Sequence, residues 1–230
     1  MGVAIITFLV FGFLLGVRHA FDSDHIAAMS TLIAKTKSLK KSTLLGILWG
    51  FGHTISLFII GSLILLFKIT IPEKIALSFE LLAGIMLVIL GFNIIFTLNK
   101  NKIHIHKHSH GNKEHHHFHS HKFNKNHSHE HLQASKSLLI GSVHGLAGSA
   151  ALALLVLTTV NSTLMGLFYI IIFGVGSMLG MTLITASISL PIILLENKLN
   201  NFDRLIKLAA ATFSLLIGAL FIYNIGIQLL

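Results

Sequence analysis

Apolar runs of the length that crosses a bilayer recur six times along this chain, at roughly 3–33, 43–67, 75–98, 137–160, 163–190 and 205–229. About 20 predominantly apolar residues span the hydrocarbon as a helix. In lipid, only a helix or a closed barrel satisfies its own backbone. The expectation is an all-α polytopic membrane protein with six transmembrane helices. Only 11% of the residues are charged and mean hydropathy is +0.82, too little charge to cover a soluble domain. The first run is too long for one straight crossing, so it should tilt, kink or turn back. No basic stretch precedes it, which argues for a retained span rather than a cleaved signal peptide.

A formal charge of +9 would suggest nucleic acid if the basic residues formed one face. Instead they lie between the apolar runs. The segment 35–42 has four lysines, 99–136 has seven, and 196–207 has two lysines and Arg204; the alternate connections carry only Lys68 and Lys74. Basic residues favour the cytoplasmic side, so both termini are expected outside the cell membrane. The implied macromolecular environment is the lipid bilayer, with no nucleic acid. Three regions follow: a three-span unit over 1–98, a cytoplasmic loop over 99–136, and a second three-span unit over 137–230. The loop holds twelve of the sixteen histidines among Lys, Asn and Ser, a low-complexity composition expected to be disordered. Its expected role is weak, multivalent binding of transition metal near the pore mouth.

The two halves echo one another. Gly16-Val-Arg-His19 aligns with Gly141-Ser-Val-His144 at an offset of 125, and Trp49-Gly-Phe-Gly52 with Phe173-Gly-Val-Gly176 at 124. Phe92-Asn93 and Tyr223-Asn224 make a weaker third match. With three spans per copy the second is inverted in the membrane, and inverted repeats enclosing a site recur among transporters.

The polar residues within the runs carry the chemistry. Arg18, His19, Asp22, Asp24 and His25 crowd into the first run, while His53 and His144 stand in later ones. Intramembrane ionisable groups are costly and mark ion pathways. Imidazole with carboxylate suits nickel, cobalt, zinc or manganese; the absence of cysteine excludes thiolate sites. On a regular helix His19, Asp22 and His25 share a face, with Arg18 placed to neutralise Asp22. Asp24 falls elsewhere, so either the helix breaks or Asp24 serves a second partner. The rise per residue places His53 and His144 about 15 and 10 Å into their spans from the cytoplasmic side. The candidate metal ligands are therefore His19, Asp22, Asp24, His25, His53 and His144.

His19-Ala-Phe-Asp-Ser-Asp24-His25 resembles the signature of the nickel/cobalt transporter family, and Gly52-His53-Thr54 is similar to its Gly-His-Thr element. Residues 141–152, GSVHGLAGSAAL, resemble the compact six-span branch with urease-accessory-type membrane proteins and nickel/cobalt efflux proteins. The resemblance covers nearly the whole chain outside 99–136. It implies metal selection and transport at His19, Asp22, Asp24 and His25. Larger uptake members carry an acidic Phe-Asp motif in the later half, where this chain has Gly145-Leu-Ala-Gly148.

The expected function is a secondary transporter of a divalent transition metal, Ni2+ or Co2+ first, with no permanently bound cofactor and no enzymatic activity. No Walker motif is present. A membrane-bound metal chaperone or urease-assembly accessory protein without transport is the alternative. A cytoplasmic metal chaperone or a metalloenzyme-assembly protein is a candidate partner. An intramembrane metalloenzyme is disfavoured, because the spans contain no His-Glu-x-x-His.

Overall fold

A computed structural model describes residues 2–69, 71–100, 105–109, 114–118, 128–159, 162–195 and 202–229. The helices are α1 (Gly2–His19), α2 (Ser23–Ile33), α3 (Leu39–Phe67), α4 (Glu73–Lys100), α5 (Ser128–Thr159), α6 (Thr163–Leu195) and α7 (Phe202–Leu229). Between α4 and α5 lies an antiparallel hairpin of β1 (Ile105–Ser109) and β2 (Glu114–Phe118). The described residues of 99–136 are the end of α4, these two strands and the first residues of α5.

The long first run is two helices bent by 55°. Asp22 is extended at φ −62°, ψ 146°, and the backbone closes into tight turns at Phe21 N–H to Arg18 O and Asp22 N–H to His19 O. Asp and Ser favour helix starts over interiors because their short side chains compete for local backbone groups. Asp24 lies in the first turn of α2, where the helix dipole favours negative charge.

Four helices, α3, α4, α6 and α7, are long and apolar enough to cross a membrane, and the α1–α2 pair makes a fifth if it is one span. The expected sixth run, 137–160, falls in α5, where several side chains lie outside the described residues. Large apolar side chains such as Ile6, Phe67, Phe96 and Leu216 point outward. Ser42, Ser177, Thr185, Ser214 and three histidines are buried. An apolar exterior around a partly polar interior is the arrangement lipid requires.

Helix α3 packs against α5 and α6, α1 against α6, and α4 against α7. Glycines permit close approaches between helices. A Cβ on Gly16 would collide with the Phe173 carbonyl, and one on Gly176 with that of Phe13. Across the bundle, a Cβ on Gly141 would meet the Trp49 carbonyl, and one on Gly52 the Leu138 carbonyl. Small residues let membrane helices approach to backbone contact. Ser137 Oγ adds a hydrogen bond to Leu45 O at 2.6 Å, joining α5 to α3.

Candidate metal site

The break between α1 and α2 turns the first motif into a corner. His19 is the last residue of α1, Asp22 the cap of α2, and Asp24 and His25 lie in the first turn of α2. The three-residue face expected for His19, Asp22 and His25 is therefore replaced by two helix ends meeting at an angle. The physical reason is the Asp22-Ser23-Asp24 sequence, which starts a new helix rather than continuing one. Asp22 also takes a different partner: His19 Nδ1 lies 2.8 Å from its Oδ2, while Arg18 is exposed. The expected Arg18–Asp22 pair is not found among the described residues.

His25 stands at the centre. Its ring centroid is 4.6 Å from that of His19, 5.2 Å from His53 and 5.0 Å from His144. Asp24 is 17% exposed at its side chain, against 55% for Asp22, so Asp24 is the inner carboxylate. Its oxygens lie 3.2 Å from His144 Nε2 and 3.7 Å from His25 Nδ1. Asp24 does serve a second partner, and the helix does break.

Two groups have ligand atoms within 4.8 Å of one another: His19, His25 and His53, and Asp24, His25 and His144. His25 belongs to both. His19 Nε2 and both ring nitrogens of His25, His53 and His144 are buried without a hydrogen-bond partner among the described residues. An unsatisfied buried polar atom costs roughly 1–3 kcal/mol. A divalent ion would accept those lone pairs, so the donor set fits such an ion. Trp49 and Phe173 wall the group, with Trp49 5.5 Å from His144 and Phe173 5.5 Å from His19, centroid to centroid.

His53 lies midway along α3, 14 residues from Leu39 and 14 from Phe67, and His144 lies near the middle of α5. α3 and α5 begin earlier than their apolar runs, so each histidine lies near the middle of its helix.

A cavity of about 390 Å3 adjoins the group, with His19, Asp22, Asp24, Glu80 and Phe221 in its walls. Six waters at ~30 Å3 each occupy about 180 Å3, so a hydrated ion fits. Glu80 is seven residues into α4 and Phe221 eight residues before the end of α7, about 10–12 Å from those ends. Glu80 was not singled out from sequence; its signal is a carboxylate inside an apolar run. Gly148 borders the same cavity, and a Cβ there would come within 3.6 Å of His19 Nε2. The glycine leaves room beside His19.

A lipid-facing helical bundle around a buried imidazole–carboxylate group defines a membrane protein suited to divalent transition ions. The model of the NicO family, high-affinity nickel-transport protein, matches residues 5–230, and the chain belongs to that family. It is a metal-transporter family and not an enzyme family. The urease accessory protein UreH of Bacillus sp. (strain TB-90) is 38% identical over 225 residues, covering 98% of this chain and 94% of that protein. No solved structure matches the chain.

Proposed function

We propose that this chain is a secondary transporter that moves Ni2+, and by the same chemistry Co2+, across the cell membrane. The observation that carries the reading is the set of buried ring nitrogens gathered around His25 beside the Asp24 carboxylate, with His53 and His144 midway along their helices. Its ligands are His19, Asp24, His25, His53 and His144, with Asp22 orienting His19 through Nδ1. A hydrated ion enters the 390 Å3 cavity. It sheds water onto Asp24, His25 and His144 and passes to His19, His25 and His53. Because His25 serves both sets, the ion is held throughout the exchange. Imidazoles bind metal only when deprotonated, which allows proton coupling.

We further propose six spans in two inverted three-helix units, 1–98 and 137–230, joined by the cytoplasmic loop. The reciprocal contacts support this. Gly16 against Phe173 and Gly141 against Trp49 exchange under the sequence offsets, as do Gly176 against Phe13 and Gly52 against Leu138. The aromatic walls exchange too: Phe173 beside His19 becomes Trp49 beside His144. In α4 and α7 a Cβ on Gly84 would meet Phe221, and one on Gly218 would meet Leu87, an offset of 134 rather than the 131 of the weaker Asn93–Asn224 match. With the lysine bias, the cavity beside Glu80 opens outward.

The test is flux of Ni2+ into or out of sealed vesicles containing only the purified chain. Wild-type protein should carry the ion, and His25→Ala should reduce movement to the vesicle leak while inserting normally. Normal flux from a His19→Ala, His25→Ala double variant would sink the assignment. A second reading follows from the UreH relative: the chain serves urease assembly by supplying or handing over nickel. Specific binding without flux would favour that role without transport.

A further inference from the structure

A second cavity, of about 290 Å3, lies at the other end of the bundle, near the lysine-rich connections. Its polar walls are Thr31, Lys35, Asn93, Gln133 and Lys136, with no carboxylate among them. Leu45, Leu90 and Ile94 supply apolar wall. The Lys35 ammonium donates to Thr97 Oγ1 at 3.0 Å and Asn93 Oδ1 at 3.3 Å, both neutral acceptors. Partial burial first, then Lys136 and Lys207, push the Lys35 pKa below its ordinary value. Asp203, the nearby acid, is engaged by Lys207 at 2.6 Å. Lys35 thus lies among like charges, in a wall that offers it only uncharged oxygens and leaves room for an anion to offset that repulsion.

We propose that this cavity binds the phosphodiester headgroup of an anionic phospholipid, with Lys35 and Lys136 on the phosphate and the glycerol end against Leu45, Leu90 and Ile94. Three features select the ligand. Two ammonium groups without a carboxylate call for an anion. The Asn93 and Gln133 amides add neutral hydrogen-bonding groups. The apolar wall at the end of α2 and beside α4 suits a ligand that carries hydrocarbon, which free phosphate lacks. Basic pockets between membrane helices are a recognised setting for anionic headgroups. The site is separate from the His25 group and does not rest on the transport reading.

The experiment uses the full chain, purified in detergent and examined by native mass spectrometry. Phosphatidylglycerol, phosphatidylcholine and inorganic phosphate are titrated separately. Phosphatidylglycerol should be retained and phosphatidylcholine should not. Lys35→Gln with Lys136→Gln should weaken retention about thirtyfold, the combined effect expected for two lysines at an anionic surface. Lys68→Gln with Lys74→Gln, at the opposite end, should leave it unchanged. Lys35→Arg with Lys136→Arg should restore binding and serves as the folding control. Equal retention of both lipids, or no loss in the glutamine pair relative to the Lys68/Lys74 pair, would overturn the proposal. Inorganic phosphate binding as tightly as phosphatidylglycerol, with the same lysine dependence, would overturn the lipid as its source.

Discussion

At the scale of single residues, the carboxylates around the site differ in position, and their substitutions should differ in kind. Asp24 lies between His25 and His144 at 17% side-chain exposure, whereas Asp22 is half exposed and holds only His19. Glu80 lines the same cavity from another helix. An exposed charge a few ångströms from an ion in water is worth about 1 kcal/mol, roughly fivefold in affinity. We expect Glu80→Gln to raise the apparent KM for Ni2+ about fivefold with little change in kcat, an effect that fades at high salt. Asp24→Asn should lower kcat sharply, and Asp22→Asn should fall between them. Initial-rate flux against Ni2+ concentration at two ionic strengths checks the series; a kcat loss for Glu80→Gln matching that of Asp24→Asn would contradict it. The histidines and aspartates were legible in sequence because ionisable groups stand out in an apolar run. Glu80 was not read because no neighbouring motif marks it. The pairing of Asp22 with His19 was missed because it depends on a helix break.

At the scale of elements, helix contacts in this bundle are set more by glycine than by polar bonds. Gly16 and Gly141 each face a backbone carbonyl that cannot move without its helix. Overpacking at such a contact typically costs 1–3 kcal/mol. The interhelical bond from Ser137 to Leu45 is shorter in reach of effect, since such bonds in membranes average about 0.6 kcal/mol. Gly226 has nothing within 4 Å of a built Cβ. We expect Gly16→Ala and Gly141→Ala to lower the thermal midpoint in detergent by comparable amounts, Ser137→Ala to lower it less, and Gly226→Ala to hold or raise it. Similar losses at Gly16 and Gly226 would show that helix propensity, not approach, governs these positions. The close approaches were foreshadowed by the matching Gly-x-x-His and aromatic-Gly-x-Gly stretches, since both repeat spacing and residue size are visible in sequence. Which carbonyl each glycine meets was not, because that depends on the rotation of one helix against another.

At the scale of the whole molecule, lysine asymmetry and the loop govern how the transporter meets the cell. A reporter at Leu230 should read outside and one near Gly111 cytoplasmic; a cytoplasmic Leu230 would break the inverted arrangement. Within the loop, the hairpin register pairs His106 with His117 and His108 with His115. The strand register was not legible in sequence, because a His-rich tract of repeated polar residues marks no particular pairing. Among the described residues the two strands pack on each other and no helix packs extensively against them. Replacing residues 103–131 with a short Gly/Ser linker should therefore leave insertion intact and flux at saturating Ni2+ little changed. The apparent affinity for cytoplasmic metal should fall, since many weak sites raise the local ion concentration. Substituting His106, His108, His115 and His117 together by Asn should reproduce a large share of that fall if the register organises the binding, and a share in proportion to their number if it does not. Flux curves for wild-type, linker and four-Asn proteins in vesicles of known orientation make the comparison. Complete loss of flux from a folded linker protein would place the loop on the obligatory path, and identical curves would remove it as a collector.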